Sequence, residues 1–326
     1  MIIGITGASG FIGRNLSRFL HEKGHHVIAL VRSPRFAKDL LDAKIEIRKC
    51  DITNCQSLND AFRGVDILIH LAALFNRPEK SPEDFHKVNV EGTRNALEAA
   101  LDCKVRRFVH CSTGGVVAGG DHLPFSESSP YSTPSWNVYE TTKHLAELTA
   151  LDFNKQHHLD LVVLRPAQPY GPGDTAKAKF YRLVKKGVIV DPQEVLKHPI
   201  YIDDLCQAFE MASTRPEASG EIFNIGAPRP ILLHDLITVV ARHLRVPYPR
   251  IILPVAPLTT AVSFLEAACN KFHLQPPVSR RNLEFFTKSI AFDVRKAVQR
   301  LGFTAGTDIH AGVKHTAAWY RATGML

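Results

Sequence analysis

The chain has 326 residues, of which 45% are hydrophobic, and carries a formal net charge of +8. That length accommodates one large α/β domain plus a smaller lobe, and that hydrophobic share excludes a disordered chain. The positive charges are dispersed, apart from short clusters such as Arg106-Arg107, Lys185-Lys186 and Arg280-Arg281, and no stripe of basic and aromatic residues points to nucleic acid.

An excess of positive charge suits an anionic cofactor or substrate. The six cysteines (Cys50, Cys55, Cys103, Cys111, Cys206 and Cys269) are scattered, with no CxxC pair, so reduced thiols and a cytoplasmic protein are expected. The chain opens directly into an apolar strand pattern with no basic leader, which argues against secretion. Pro254, Pro257 and Glu266 interrupt the apolar stretch from Ile251 to Ala268, which argues against a membrane span. The paired histidines His25-His26 and His157-His158 point apart on a helix or strand, so surface or core histidines are expected and no metal site.

In chain order, strand-like runs are Met1–Thr6, His26–Val31, Ile45–Arg48, Asp66–His70, Arg107–Cys111 and Leu161–Arg165. Helical patterns lie between them at Phe11–Lys23, Ala37–Leu41, Gln56–Phe62, Glu83–Leu101 and Trp136–His157. Strands alternating with helices predict an α/β fold with a doubly wound parallel sheet, its ligand crevice along one edge. From Pro166 the texture changes to a turn-rich loop through Gly173, followed by segments richer in Pro and Gly. We therefore expect a dinucleotide-binding domain over 1–165 and a smaller α/β substrate-binding lobe over 166–326, of a kind that often returns a strand to the main sheet.

The first motif is Gly7-Ala8-Ser9-Gly10-Phe11-Ile12-Gly13, directly behind the first strand. Gly7 permits a sharp turn, Gly10 lets backbone N–H groups of the Ser9–Ile12 segment approach a phosphate, and Gly13 lets the helix pack close to the sheet. The helix N-terminus adds partial positive charge for a pyrophosphate. The second strand ends in Val31-Arg32-Ser33-Pro34-Arg35, with no acid to bond a ribose 2′-hydroxyl. Arg32 would pair with a 2′-phosphate, so NADP is favoured over NAD. Asp51 and Ile52 would flank the adenine, and the small run Leu71-Ala72-Ala73 would let the chain pass beside the cofactor. Asn89, on a helical face, is either a site residue or a structural hydrogen-bonder.

The second motif is Tyr139-Glu140-Thr141-Thr142-Lys143, with Ser112-Thr113 upstream at a strand end. Tyr139 and Lys143 are i and i+4 and share a helix face. An unperturbed tyrosine titrates near ~10 and is a poor base, but a cation about 4–6 Å away favours its phenolate. Lys143 would supply that charge while bonding the nicotinamide ribose, so that Tyr139 and Lys143 also count as cofactor-binding residues. Tyr139 would then exchange the carbinol proton while a hydride moves to or from a nicotinamide. Thr113, or its neighbour Ser112, would hold the substrate oxygen.

On these pieces, with His70-Leu71-Ala72-Ala73, Val88–Thr93, Arg165–Gly173, Tyr201–Asp204 and Gly220–Gly226, the chain resembles an extended short-chain dehydrogenase/reductase of the NAD-dependent epimerase/dehydratase superfamily. The resemblance implies a catalytic triad of Thr113, Tyr139 and Lys143, places Pro166 and Gln168 by the nicotinamide, and implies a homodimer through the helices at 83–101 and 136–157. Related sugar-nucleotide dehydratases carry an Asp-Glu pair after the threonine; Gly114-Gly115 stands there, which argues against 4,6-dehydration. Lys197 replaces the arginine that helps hold a substrate diphosphate in related epimerases, with Arg280, Arg281 and Lys288 also available. The apolar segments Leu253–Leu258 and Val262–Leu265 resemble the lobes of 3β-hydroxysteroid dehydrogenases and dihydroflavonol-type reductases. The expectation is an alcohol/ketone oxidoreductase, with a nucleoside-diphosphate-sugar 4-epimerase using tightly bound NAD and a non-catalytic NADP-binding sensor as alternatives.

Overall fold

The structure is a computed structural model; it describes all residues except 76, 78, 120–121, 134–136, 191–193, 250, 253–259, 263, 266–268 and 270–279. The apolar segment at 253–258, and residue 263 of the next one, lie outside the described residues. The chain divides into two compact units. The first comprises Met1–Ala167, Ile202–Gly226 and Phe292–Ala305; the second comprises Gln168–Tyr201, Ala227–Ala291 and Gly306–Leu326.

In the first unit, β1 (Ile2–Thr6), α1 (Phe11–Glu22), β2 (His26–Val31), α2 (Lys38–Asp42), β3 (Glu46–Lys49), α3 (Cys55–Phe62) and β4 (Ile67–His70) alternate. Next come α4 (Pro82–His86), α5 (Gly92–Asp102), β5 (Arg107–Cys111), α6 (Val138–His157) and β6 (Leu161–Pro166). A return strand, Ile222–Ile225, pairs with β6. Among the described residues this makes a seven-stranded parallel sheet in the order return–β6–β5–β4–β1–β2–β3.

The strand order reverses between β1 and β4, so their C-terminal ends open the crevice where ligands of doubly wound sheets bind. The strands read as near-continuous apolar runs because both faces are covered. Helix α1 packs against the helix Ile202–Thr214, whereas α5 packs against both α3 and α6. Leu58, Phe62, Leu97, Phe108 and Phe153 lie in one buried cluster with strand residues Ile28 and Val163. Local caps agree with the sequence. Asn54 Oδ1 accepts from Ser57 N at 3.2 Å to start α3, and Asn137 Oδ1 accepts from Glu140 N at 3.3 Å to start α6.

The expected helix over 83–101 is interrupted. A π-helical turn at Lys87–Glu91 separates α4 from α5 and carries the buried Asn89.

In the second unit, Gln168–Tyr170 pairs with Pro199–Tyr201, and Leu196–Lys197 pairs antiparallel with Ile231–Leu232. Helices include Ala178–Lys185, Leu233–Leu244 and Ile309–Ala322. A Cβ at Gly312 would fall 2.2 Å from the Tyr170 hydroxyl, so only glycine permits this approach.

Candidate active site

The glycine loop follows β1. Gly7 has φ of +69°, and a Cβ there would lie 2.9 Å from the Ala72 backbone at the exit of β4. A Cβ at Gly13 would lie 2.4 Å from the Gly7 carbonyl oxygen. Both glycines are therefore required by close backbone approach. Gly10 is the residue before α1, which begins without a side-chain cap and without an acid in its first turn. Ser9 is half-buried, and Phe11 and Ile12 open α1 with uncapped N–H groups. This cradle and helix start fit a dinucleotide pyrophosphate. Arg14, which sequence reasoning missed, donates Nε to the Ser9 carbonyl at 2.8 Å and pairs with Asp39 at 3.2 Å.

Behind the loop runs a buried polar chain. The Thr6 hydroxyl accepts from the Leu71 and Ala72 N–H groups, each at 3.2 Å, and lies 2.9 Å from His70 Nδ1. His70 Nε2 lies 3.2 Å from the Thr93 hydroxyl, which itself donates to the Asn89 carbonyl at 2.7 Å. The donors balance when His70 is neutral with its proton on Nε2. Burial, and then the charge of Lys143, push His70 down to about 3, in accord with a neutral ring. Asn89 clamps the β4 exit: its Oδ1 accepts from Leu74 N at 2.7 Å, and its Nδ2 donates to the Thr142 hydroxyl of α6 at 2.9 Å. The small residues Ala72 and Ala73 precede this clamp. Phe75 follows it and packs edge-on against Tyr139, with ring centroids 4.8 Å apart.

Tyr139 and Lys143 sit in the first turns of α6. Lys143 is buried, and its ammonium donates to the Cys111 carbonyl at 2.6 Å. Burial pushes Lys143 below the usual lysine range, while Cys111 and Glu147 act in the opposite direction. Thr113 follows β5 and begins a short turn; its Oγ1 accepts from Gly115 N at 3.2 Å, which leaves its proton to give. Ser112 is turned elsewhere, because its hydroxyl donates to the carboxylate of Glu147. Of the two hydroxyls, Thr113 is the half-exposed one.

Glu147 is a site neighbour that sequence reasoning missed. It pairs with Arg165 at 2.5 Å with both side chains fully buried, and it accepts from the Tyr131 hydroxyl at 2.8 Å. Two signals pointed to it: the i+8 spacing from Tyr139, and a lone arginine ending the apolar run Leu161–Leu164. The Gly114-Gly115 pair is also sterically committed. A Cβ at Gly114 would lie 2.3 Å from the Phe292 ring, and one at Gly115 would lie 2.7 Å from Glu140 Oε1.

The remaining expected residues are dispersed. Arg32 is exposed just beyond β2. Asp51 bends its carboxylate back onto Thr53, accepting from N at 3.0 Å and from Oγ1 at 2.8 Å. Ile52 is buried, packed where a Cβ on Gly92 would fall 2.7 Å from it. Pro166 ends β6 in the first unit, whereas Gln168 belongs to the second, where its Oε1 accepts from His198 N at 3.2 Å. Lys197 is buried in the second unit. It donates to the Lys288 carbonyl at 2.7 Å beneath the Phe285 ring, and burial pushes it down to about 7. The spelling HExxH does occur, at His21-Glu22-Lys23-Gly24-His25, but α1 ends at Glu22 and Gly24 turns with φ of +83°, so the two histidines do not share a helix face.

A glycine-rich turn at the strand crossover, with a helix-borne tyrosine and a buried lysine, makes a candidate nicotinamide site, and comparison with known proteins shows the family. The pattern of the NAD dependent epimerase/dehydratase family matches residues 3–226, and the chain belongs to that family. It is 31% identical over 248 residues to a 3-beta-hydroxysteroid dehydrogenase of Mycolicibacterium neoaurum, covering 71% of this chain and 67% of that protein. It is 26% identical to a 2-alkyl-3-oxoalkanoate reductase of Shewanella oneidensis, covering 96% of this chain and 85% of that one. Among solved structures, gox2253 superposes with a TM-score of 0.83 at 29% identity, covering 100% of this chain and 99% of the other. The UDP-glucose 4-epimerase of Thermotoga maritima, at 23% identity with a TM-score of 0.79 over 99% of both chains, shares the fold. Among the described residues, no helix is long and apolar enough to cross a membrane.

Proposed function

We propose that this protein is an NADP-preferring oxidoreductase that interconverts a secondary alcohol and a ketone, with Thr113, Tyr139 and Lys143 as its catalytic residues. The observation that carries this reading is Lys143, a buried cation one helical turn from Tyr139 and tied at 2.6 Å to the strand end that leads into Thr113. When bound, the nicotinamide supplies the hydride acceptor or donor. Tyr139 takes the carbinol proton in oxidation and returns it in reduction, with the Lys143 charge favouring its phenolate. Thr113 donates a hydrogen bond to the substrate oxygen as charge develops there. Gly7, Ser9, Gly10, Phe11, Ile12 and Gly13 hold the pyrophosphate, and Arg32 pairs with the 2′-phosphate.

Loss of water from a 4,6-dehydratase-type substrate is disfavoured, because Gly114-Gly115 supplies no carboxylate there and a Cβ at Gly114 would fall 2.3 Å from the Phe292 ring. The relatives named for hydroxysteroid and 3-oxoalkanoate substrates support an apolar alcohol or ketone over a sugar nucleotide. We infer a homodimer through α4–α5 and α6, where Leu101 and Leu145 are exposed, working in the cytoplasm with its six thiols free.

A panel tests this reading. A 3β-hydroxysteroid with NADP⁺ and NAD⁺, a 2-alkyl-3-oxoalkanoate with NADPH and NADH, and UDP-glucose are each assayed for turnover. Turnover of an alcohol or ketone with the phosphorylated nucleotide supports the proposal. Conversion of UDP-glucose alone would instead establish the epimerase, and nucleotide binding without any turnover would establish a sensor.

A further inference from the structure

Glu147 lies on the same α6 face as the reacting groups, at four-residue intervals from Tyr139 and Lys143. Arg165, from β6, closes this row of alternating charge. Glu147 and Arg165 are 0% and 1% exposed, and none of their buried polar side-chain atoms lacks a hydrogen-bond partner. Besides Ser112 and Tyr131, Glu147 accepts Arg165 Nε at 3.1 and 3.2 Å; Arg165 Nη1 donates to the Glu127 carbonyl at 3.0 Å. A buried ion pair is no better for stability than apolar residues of the same volume, so its presence calls for another account.

That account lies in what the pair touches. Consecutive residues at the end of β5 are tied to α6: the Cys111 carbonyl to Lys143 and the Ser112 hydroxyl to Glu147. Thr113 is the next residue. The groups that act on Lys143 are His70 from β4, His110 and Cys111 from β5, and Glu147 from α6, with Tyr139 one helical turn before it on α6. Burial keeps both imidazoles neutral and pushes the Cys111 thiol up to about 11. Glu147 is therefore the resident anion of this pocket.

We propose that Glu147, fixed by Arg165, is a positioning residue for hydride transfer: it latches the end of β5 to α6 through Ser112 and supplies the negative charge that keeps Lys143 an ammonium beside Tyr139. This rests on the Tyr139–Lys143 reading above, and the test separates the two.

NADPH, with NADH in parallel, is titrated by fluorescence from neutral to alkaline pH. The proteins compared are the wild type, Lys143→Met, Ser112→Ala and the paired variant Glu147→Gln/Arg165→Gln. Wild-type affinity falls along an alkaline limb as Lys143 deprotonates, and Lys143→Met removes that limb. In the paired variant the limb moves to lower pH by about one unit. Ser112→Ala breaks the latch but keeps the charge; its limb stays in place while hydrogen exchange at 111–113 accelerates, measured without nucleotide. A folded paired variant with the wild-type limb, or a wild type lacking the limb, overturns the charge role. Unchanged exchange in Ser112→Ala overturns the latch. Should the paired variant not fold, Glu147→Asp keeps the charge on a shorter arm: the limb must stay and exchange must accelerate, and the reverse pattern contradicts the proposal. A wild type that binds neither nucleotide fails the cofactor reading, while the exchange experiment still decides the latch.

Discussion

Lys143 donates to the Cys111 carbonyl at 2.6 Å, and this bond, beside that of Ser112 to Glu147, joins the helix that bears the tyrosine to the strand end that leads into the threonine. The lysine is thereby a structural tie as well as a charge. Burial destabilises its ammonium, and the carbonyl and Glu147 hold it in place. Lys143→Met should therefore affect both catalysis and geometry. We expect turnover to fall roughly a hundredfold or more, with faster hydrogen exchange at 111–113; turnover near wild type would show that the ammonium is dispensable.

Acid should weaken this fold through its buried histidines. His70 is held down to about 3 by burial and by Lys143, and His110 is depressed by burial in the same way. An unfolded histidine titrates near ~6.5, so below that pH the unfolded chain binds protons that the folded one does not. Stability from His70 is therefore fully present above about 6.5 and falls as pH drops towards 3. His70 contributes about 1.4 kcal/mol per pH unit in that window, and His110 adds to the slope in the same direction. His110, stacked on His70 at 5.9 Å, has no hydrogen-bond partner on either ring nitrogen among the described residues. His110→Leu should raise neutral-pH stability by about 1 kcal/mol and flatten the acid slope in urea denaturation. A steeper slope in that variant would contradict the assignment.

The glycine loop makes a contrast within one protein. Gly13→Ala sets a Cβ 2.4 Å from the Gly7 carbonyl oxygen and 2.6 Å from Ala8 Cα, where only backbone could yield. We expect about 1–3 kcal/mol of lost stability, with NADPH binding lost as the loop moves. Gly10→Ala meets only the Gly7 oxygen at 3.2 Å, so its effect should fall on NADPH affinity more than on melting temperature. Equal melting temperatures for the wild type and Gly13→Ala would remove the close-approach argument.

The proposed preference for NADP rests on Arg32, exposed beyond β2. Arg32→Ala should weaken NADPH roughly tenfold to a hundredfold while leaving NADH little changed, read by thermal shift and fluorescence titration with both nucleotides. A parallel loss for both would show that Arg32 does not read the 2′-phosphate.

Much of the first unit was legible in the sequence because its strands are short apolar runs and the stretches between them carry helical spacing. β2 and β5 match their expected bounds, and α1 ends one residue short of its own. The π turn at Lys87–Glu91 was not legible, since its spacing differs from a helix by one residue and depends on Asn89 finding Leu74 and Thr142. The Glu147–Arg165 pair likewise depends on β6 meeting α6, a long-range fact that local periodicity does not carry. Ser112 and Thr113 were equivalent as hydroxyls in the sequence, and only the carboxylate of Glu147 behind Ser112 distinguishes them.

The most direct test of the proposed chemistry is Tyr139→Phe, which removes the phenolic oxygen and retains the ring that packs on Phe75. With the panel compound that the wild type converts, kcat should fall by roughly a hundredfold or more while the Kd for NADPH stays at its wild-type value. Turnover at the wild-type rate in that variant would contradict proton transfer by Tyr139 and, with it, the proposed mechanism.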